Sequence, residues 1–165
     1  MTTYIDAIGI GFPTVNCTCL GNGAIYADLR WVSGSPLPTQ SDLDTWILSH
    51  AKDVTWDKIK IERTRRQAGG VKVGTDWFNS DSESRIQQLG LVMFGANLPA
   101  NLMWKTMAGT FVTMTQTLAS QIFQATASSD VAIFTIAETH KAYMLASVDP
   151  ASYNYLTGWP LIYGE

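Results

Sequence analysis

Charged side chains are scarce in this sequence. They make up 15% of the 165 residues, whereas hydrophobic residues make up 46%. About a quarter of a typical soluble chain is charged, so much of the surface here must consist of Ser, Thr, Asn, Gln and Gly. Such a surface repels neighbouring molecules only weakly, and the composition therefore favours a protein that works packed among copies or partners.

Positive charge is especially scarce. The net charge is −3 and the sequence pI is about 5.3, whereas a nucleic-acid site needs a concentrated positive field that releases counterions from phosphates. The basic residues that do cluster are Lys58, Lys60, Arg63, Arg65 and Arg66. Glu62 interrupts this cluster, so we interpret it as the solvated face of a short helix and expect no nucleic-acid partner.

Long hydrophobic runs are missing as well. No stretch approaches the roughly 20 apolar residues that cross a bilayer, and the first residues lack a basic region followed by an apolar run. The sequence therefore predicts no membrane partner and a protein that is made in the cytoplasm.

Cysteine and histidine are too few for an obvious metal site. Cys17 and Cys19 are two residues apart on a predicted strand, which places both side chains on one face but makes a disulfide between them difficult. A tetrahedral metal site would need further ligands, and His50 and His140 lie far away in sequence. We predict that the cysteines are small core residues, and we expect no metal and no cofactor.

The first part of the chain, residues 1–55, is predicted to be a small antiparallel β-sheet module with a short helix. Apolar residues alternate over 4–12, and two further runs, 15–20 and 24–32, flank the turn Gly21-Asn22-Gly23. An Asn-Gly pair between such runs is typical of a β-hairpin, because both residues tolerate positive φ.

Two helices are predicted to follow the break at Gly34-Ser35-Pro36-Leu37-Pro38. Thr39 or Ser41 can cap the first, whose apolar positions are Leu43, Trp46, Ile47 and Ala51. The second is expected to begin near Thr55 and to end at Gly69-Gly70, because glycine commonly terminates a helix.

The second part, residues 56–149, is predicted to be a helical domain with two β-hairpins, which gives an α+β fold. The runs 71–73 and 76–78 form the first hairpin, and the runs 103–107 and 110–114 form the second. The two hairpins could share one sheet.

Three helical segments are predicted around these hairpins. Asp81 or Ser82 caps the first, with an apolar stripe of Ile86, Leu89, Val92 and Met93. Thr115 caps the second, with Leu118, Ile122 and Phe123 facing inward. The stretch 128–130 either interrupts that helix or caps the last one, which carries His140 as a hydrogen-bonded core or boundary residue.

The final segment, residues 150–165, is rich in aromatic and aliphatic residues without periodicity. Leaving them in water would cost about 25 cal/mol per Å² of apolar surface, so we expect them to dock on their own domain or on a neighbouring chain. The predicted partner-binding residues are Tyr153, Tyr155, Leu156, Trp159, Leu161, Ile162 and Tyr163.

No residue pattern indicates catalysis. Helix capping accounts for the carboxylates Asp42, Asp44, Asp76, Asp81 and Glu83, and the glycines lack the spacing of a phosphate-binding loop. We therefore predict that the protein is not an enzyme. Saccharide stacking on Trp77, Trp104 and Trp159 stays open, although these side chains could equally fill a small core.

The second part resembles a known family. The pattern comprises the runs 61–73 and 77–85, Trp104-Lys105-Thr106, Gly109 and 111–115. Over about residues 56–147 it is similar to a small domain of unknown function found in tail and tail-fibre region proteins of tailed bacteriophages. The resemblance implies a phage tail association and carries over no site residues.

These observations favour a structural component of a bacteriophage virion tail, such as a tail tip, fibre or fibre adaptor, assembled in the host cytoplasm. The alternative is a tail or tail-fibre assembly chaperone that is absent from the mature virion. The expected partners are other phage tail or fibre proteins and further copies of the same chain, since tail parts are rotationally symmetric. A host-surface saccharide stays open as a further partner.

Overall fold

The computed structural model of the protein describes residues 3–33 and 36–165. Within these residues the chain combines long helices with short antiparallel hairpins, which confirms the predicted α+β class. The helices and strands are α1 (Tyr4–Gly11), β1 (Asn16–Cys19), β2 (Leu29–Ser33), α2 (Gln40–Gln67), β3 (Val71–Val73), β4 (Asp76–Phe78), α3 (Ser82–Phe94), β5 (Met103–Lys105), β6 (Phe111–Thr113) and α4 (Gln116–Ala146). Short 3₁₀ turns lie between or after these elements, at Tyr26–Asp28, Gly95–Asn97 and Pro150–Ser152. The break predicted at Gly34 and Ser35 lies outside the described residues.

The chain forms two compact units. The first unit comprises Met1–Ile59 and His140–Tyr155, and the second comprises Lys60–Thr139 and Leu156–Glu165. Helices α2 and α4 each contribute residues to both units. The sequence was also predicted to divide into three modules, residues 1–55, 56–149 and 150–165, and that division stays a prediction. No helix among the described residues is long and apolar enough to cross a membrane.

The first unit contains an antiparallel hairpin, but its connection is longer than predicted, because residues 24–28 form a loop with a 3₁₀ turn at Tyr26–Asp28 and the second strand begins only at Leu29. Strands β1 and β2 pair antiparallel, with Cys17 opposite Trp31 and Cys19 opposite Leu29. Both cysteines are free and partly buried beside a small core. That core consists of Ala7, Ile8, Val15, Leu29 and Leu43, so the predicted packing role of the cysteines is confirmed.

The prediction of β structure over residues 4–12 is wrong, because this segment forms helix α1. Thr3 and Asp6 make a capping box, in which the Asp6 carboxylate accepts from the Thr3 backbone N–H at 2.8 Å and the Thr3 hydroxyl accepts from that of Asp6. Lys58 of α2 also forms a 2.8 Å salt bridge with Asp6. Capping and the burial of Ala7 and Ile8 therefore outweigh the apparent alternation of apolar residues.

The two helices predicted on either side of residue 55 are one continuous helix, α2. Thr39 caps it as predicted, since its hydroxyl accepts a hydrogen bond from the backbone N–H of Asp42. Thr55 does not act as a cap, because its hydroxyl donates to the carbonyl of Pro150 at 3.0 Å. The sequence of α2 contains neither proline nor glycine, so nothing in it breaks the helix before the predicted stop at Gly69-Gly70.

The second unit is built around both predicted hairpins, whose registers pair Lys72 with Trp77 and Trp104 with Val112. They do not share a sheet in the described structure, where each is its own two-stranded ribbon. A single hydrogen bond of 2.9 Å links them, from the backbone N–H of Met107 to the carbonyl of Trp77. The core that they cover consists of Val71, Phe78, Leu91, Met114, Ala119 and Ile122.

The side of helix α3 that packs against this core differs from the side that the apolar stripe of the sequence predicted to be buried. Asp81 caps it as expected, but its buried residues are Gln88 and Leu91, with Val92 partly buried against the core. Ile86, Leu89 and Met93 are instead exposed to solvent. The helix thus carries apolar residues on two sides, and only one of them packs against the hairpins.

The possible interruption of the last helix at 128–130 does not occur, and α4 is continuous. Thr115 caps it as predicted, because its hydroxyl accepts from the backbone N–H of Leu118. Asp130 does not cap a new helix, since its carboxylate is bound by the side chains of Arg85 and Gln67. Ile122 is buried as predicted, whereas Phe123 is exposed.

Candidate functional site

The predicted partner-binding residues are divided between the two units. Tyr153 and Tyr155 belong to the first unit, whereas the others lie in Leu156–Glu165 of the second unit, which we call the 156–165 segment.

In the first unit, Tyr153 is held by His140. The hydroxyl of Tyr153 and Nδ1 of His140 share a hydrogen bond of 2.9 Å, and the two rings meet edge to face. Burial raises the pKa of Tyr153, with a smaller contribution from Tyr143. His140 is itself buried, so of the two predicted positions, core or boundary, this hydrogen-bonded histidine occupies the core.

Replacing Tyr153 with phenylalanine is expected to lower the free energy of unfolding by about 1 kcal/mol, because a partly buried hydrogen bond is lost while the ring stays in place. Urea denaturation measures this change. Tyr143, whose side chain is exposed, provides the control, and Tyr143→Phe should change stability by less than about 0.5 kcal/mol. Equal effects of the two substitutions would contradict the assigned role of the hydrogen bond.

In the second unit, the 156–165 segment is anchored by its own side chains. Trp159 and Ile162 are buried, and the backbone N–H of Tyr163 donates to the carbonyl of Gly69 at 2.9 Å. A Cβ atom at position 69 would lie only 2.6 Å from Cβ of Ile162. Glycine at this position therefore lets the segment approach the end of α2.

A cluster of charges fixes the end of the same segment. Arg66 is only 7% exposed. Its guanidinium donates to Glu62 at 2.7 Å, to Glu165 at 2.6 Å and to the carbonyl of Pro160 at 2.9 Å. Arg65 also donates to both carboxylates. The predicted solvated face is therefore wrong for Arg66, because its charge is balanced by Glu165, which is 99 residues away in sequence.

The ion pairs in this cluster lower the pKa of both carboxyl groups. Hydrogen bonds from Arg65 and then Arg66 hold the pKa of Glu62 below its usual value, although partial burial acts in the opposite direction. Burial also opposes the change at Glu165, where hydrogen bonds from the same two arginines lower the pKa. Both carboxyl groups therefore carry their negative charge near neutral pH.

Part of the 156–165 segment remains exposed. Leu161 has 69% of its surface in contact with solvent, and the side chain of Leu156 is also exposed. The ring of Tyr163 packs edge to face on Trp77, with 6.2 Å between the ring centroids. Anchored residues thus alternate with outward-facing ones, and the anchored ones hold the others in defined positions.

The three tryptophans considered for saccharide stacking do not present bare rings. Trp159 is buried, while Trp77 and Trp104 are partly buried. Trp104 packs against the core of the second unit. Their main contacts are thus with their own unit, as expected of core-filling residues.

A second exposed apolar surface lies on α3. Ile86, Leu89 and Met93 are 72%, 44% and 79% exposed, and their i, i+3, i+7 spacing places them on one side of the helix. We call this set the α3 outer face. The apolar periodicity of the sequence detected these residues but did not predict that they face solvent.

A small cavity lies beside the N-terminus of α3. It is lined mainly by polar side chains, among them Gln67, Ser80, Asp81 and Arg85. Hydrogen bonds from the backbone N–H and then the hydroxyl of Ser84 hold the pKa of Asp81 below its usual value. Arg85 forms an ion pair with Asp130. The polar groups of this cavity thus mainly hold α3, α4 and the end of α2 together.

Asp42 and Asp44, which were both predicted as capping carboxylates, have different partners. Asp42 caps α2 together with Thr39, and Asp44 accepts a hydrogen bond from the Tyr4 hydroxyl at 2.8 Å. His50 lies within α2, and its ring stacks on Trp46. Within 3–33 and 36–165, no three His, Cys, Asp or Glu side chains are grouped as ligands for a metal ion.

Together, the fold and these surfaces define an α+β protein that exposes apolar side chains on α3 and on the 156–165 segment. The model of the DUF4376 family, described as a domain of unknown function, matches residues 50–157. Because this match covers well over half of the chain, the protein belongs to the DUF4376 family. No match was found among curated proteins or among solved structures.

Proposed function

We propose that the protein is a structural component of a bacteriophage virion tail, at the tail tip, in a fibre or in a fibre adaptor, and that it acts through protein–protein contacts. The observation that carries the proposal is the 156–165 segment. Buried Trp159 and Ile162 anchor the segment, while Leu161 points outward. A partner can bind such a preordered surface without first ordering it, which lowers the entropic cost of association.

Two further observations support a role in contacts. Charged residues are scarce over the whole chain, so the surface offers little electrostatic repulsion to a neighbouring subunit. The resemblance of the runs 61–73 and 77–85 to phage tail-region proteins supports the tail as the place of action. Membership of the DUF4376 family, a domain of unknown function, names no activity.

Mass spectrometry of purified particles tests the proposal. We expect the protein in intact virions at a fixed ratio to known tail proteins, and the ratio should persist through density-gradient purification. Presence in the infected lysate together with absence from purified particles would reject the proposal in favour of an assembly chaperone.

Leu161→Glu is expected to reduce incorporation into particles by about tenfold, because it places a charge in an apolar contact. The free energy of unfolding should change by less than about 0.5 kcal/mol, since the side chain is exposed. Leu20→Glu is a matched control, because Leu20 is also exposed but lies in the first unit. Incorporation of the Leu161 variant at the wild-type level would show that this residue is not in the contact.

A further inference from the structure

The α3 outer face is large enough to be a contact surface. Together with the exposed ring of Phe94, its three side chains expose apolar surface on the order of 500 Å². The largest apolar patch on a typical monomer measures about 300–600 Å² and often has a function. The sequence carries this surface on the helix in addition to the apolar residues that pack against the core.

Gly90 indicates what kind of element covers this face. It lies four residues after Ile86 and is therefore on the same side of α3. Glycine inside a helix costs about 1 kcal/mol relative to alanine. A Cβ atom at Gly90 would meet nothing within 4 Å, so no contact within the described chain accounts for a glycine here. A glycine on an apolar helix face allows a second backbone to approach closely.

The charges of α3 indicate how a second copy would be oriented. Glu83 lies one turn before Ile86 on the exposed side, and Arg85 is paired with Asp130. A parallel pair of α3 helices would place the two Glu83 carboxylates against each other and align the helix dipoles unfavourably. An antiparallel pair separates these carboxylates and opposes the dipoles. The same geometry is a self-complementary two-fold contact.

We propose that the α3 outer face joins two copies of the chain through an antiparallel pair of α3 helices. The two-fold axis passes near Leu89 and Gly90, and Ile86 of each copy contacts Met93 of the other. The contact buries about 1,000 Å² in total, which is at the lower limit for a specific interface. Association of the purified protein is therefore weak, with a Kd on the order of 10–100 µM.

This inference rests on the proposed function in one respect, because it takes the protein to work through contacts, and it names a second copy as one partner. The proposed function and the proposed α3 contact can fail independently. Sedimentation of the purified protein tests the α3 contact without reference to virions, whereas the composition of purified particles tests the virion role without reference to α3.

The experiment is sedimentation velocity over a concentration series of the full chain. Wild-type protein should show a monomer–dimer equilibrium, and Met93→Lys and Ile86→Glu should each weaken it about 30-fold or more, because each places a charge in an apolar contact. The double variant, Ile86→Glu with Met93→Lys, should recover at least about tenfold of this loss, because each Glu then faces a Lys of the second copy.

The control is Val131→Lys, which replaces an exposed apolar residue of α4 and should leave the Kd unchanged. Thermal unfolding followed by circular dichroism confirms that every variant folds, and Ile86→Gln and Met93→Gln replace any charged variant that does not. The proposal is overturned if the wild type remains monomeric at about 300 µM, well above the expected Kd. Dimerisation that is insensitive to the single substitutions, or a double variant that recovers nothing, would overturn it equally.

Discussion

Replacing Phe78 with alanine is expected to lower the free energy of unfolding by about 3–5 kcal/mol, the usual cost of removing a large aromatic side chain from a core. Phe78 is 1% exposed and lies in the core of the second unit with Val71, Leu91 and Met114. Because Phe78 also ends strand β4, the cavity would lie directly beneath the first hairpin. Urea denaturation followed by tryptophan fluorescence measures the change.

Phe111→Ala is the matched control for this prediction. Phe111 lies on β6 of the second hairpin, but its side chain is exposed, so its removal should cost less than about 1 kcal/mol. Comparable losses for the two variants would show that the core is not centred on Phe78.

Replacing Glu62 with alanine is expected to destabilise the protein by about 3 kcal/mol, because it leaves the buried charge of Arg66 with one carboxylate partner fewer. The remaining partner, Glu165, and the carbonyl of Pro160 limit the loss. Glu62→Gln keeps the shape and one acceptor, so its effect should be smaller. Glu83→Ala, which removes an exposed glutamate, serves as the control and should cost less than about 1 kcal/mol.

The same cluster predicts how stability depends on pH. The pKa of Glu62 is lower in the folded protein than in the unfolded chain, so the folded state favours the charged form. The resulting stabilisation is complete above the unfolded pKa and is lost as the pH falls through the folded pKa. Between about pH 5 and pH 3, wild-type protein should therefore lose more stability than Glu62→Gln. Parallel pH profiles of the two proteins would contradict the assigned ion pairs.

Features that depend on a few neighbouring residues could be predicted from the sequence. The caps at Thr39, Asp81 and Thr115 need only one side chain and a backbone N–H two or three residues away. The two hairpins of the second unit follow from short alternating runs around glycine turns. For this reason the α+β class was also predictable.

Features that depend on competition or on distant residues could not be predicted. Residues 4–12 fit a strand by alternation, but the capping box at Thr3 and Asp6 and the contact with Lys58 favour a helix. Helix α3 has apolar residues on two sides, and periodicity cannot decide which side meets the hairpins. The burial of Arg66 depends on Glu165 at the far end of the sequence, so local composition suggested a solvated helix instead.

The interleaved composition of the two units has a consequence for biosynthesis. The first unit needs His140–Tyr155 in addition to Met1–Ile59, so it cannot close until residue 155 has left the ribosome. By then the second unit lacks only Leu156–Glu165. The two units therefore cannot fold one after the other along the sequence, as consecutive domains do, and a chain truncated before residue 140 would lack part of both units.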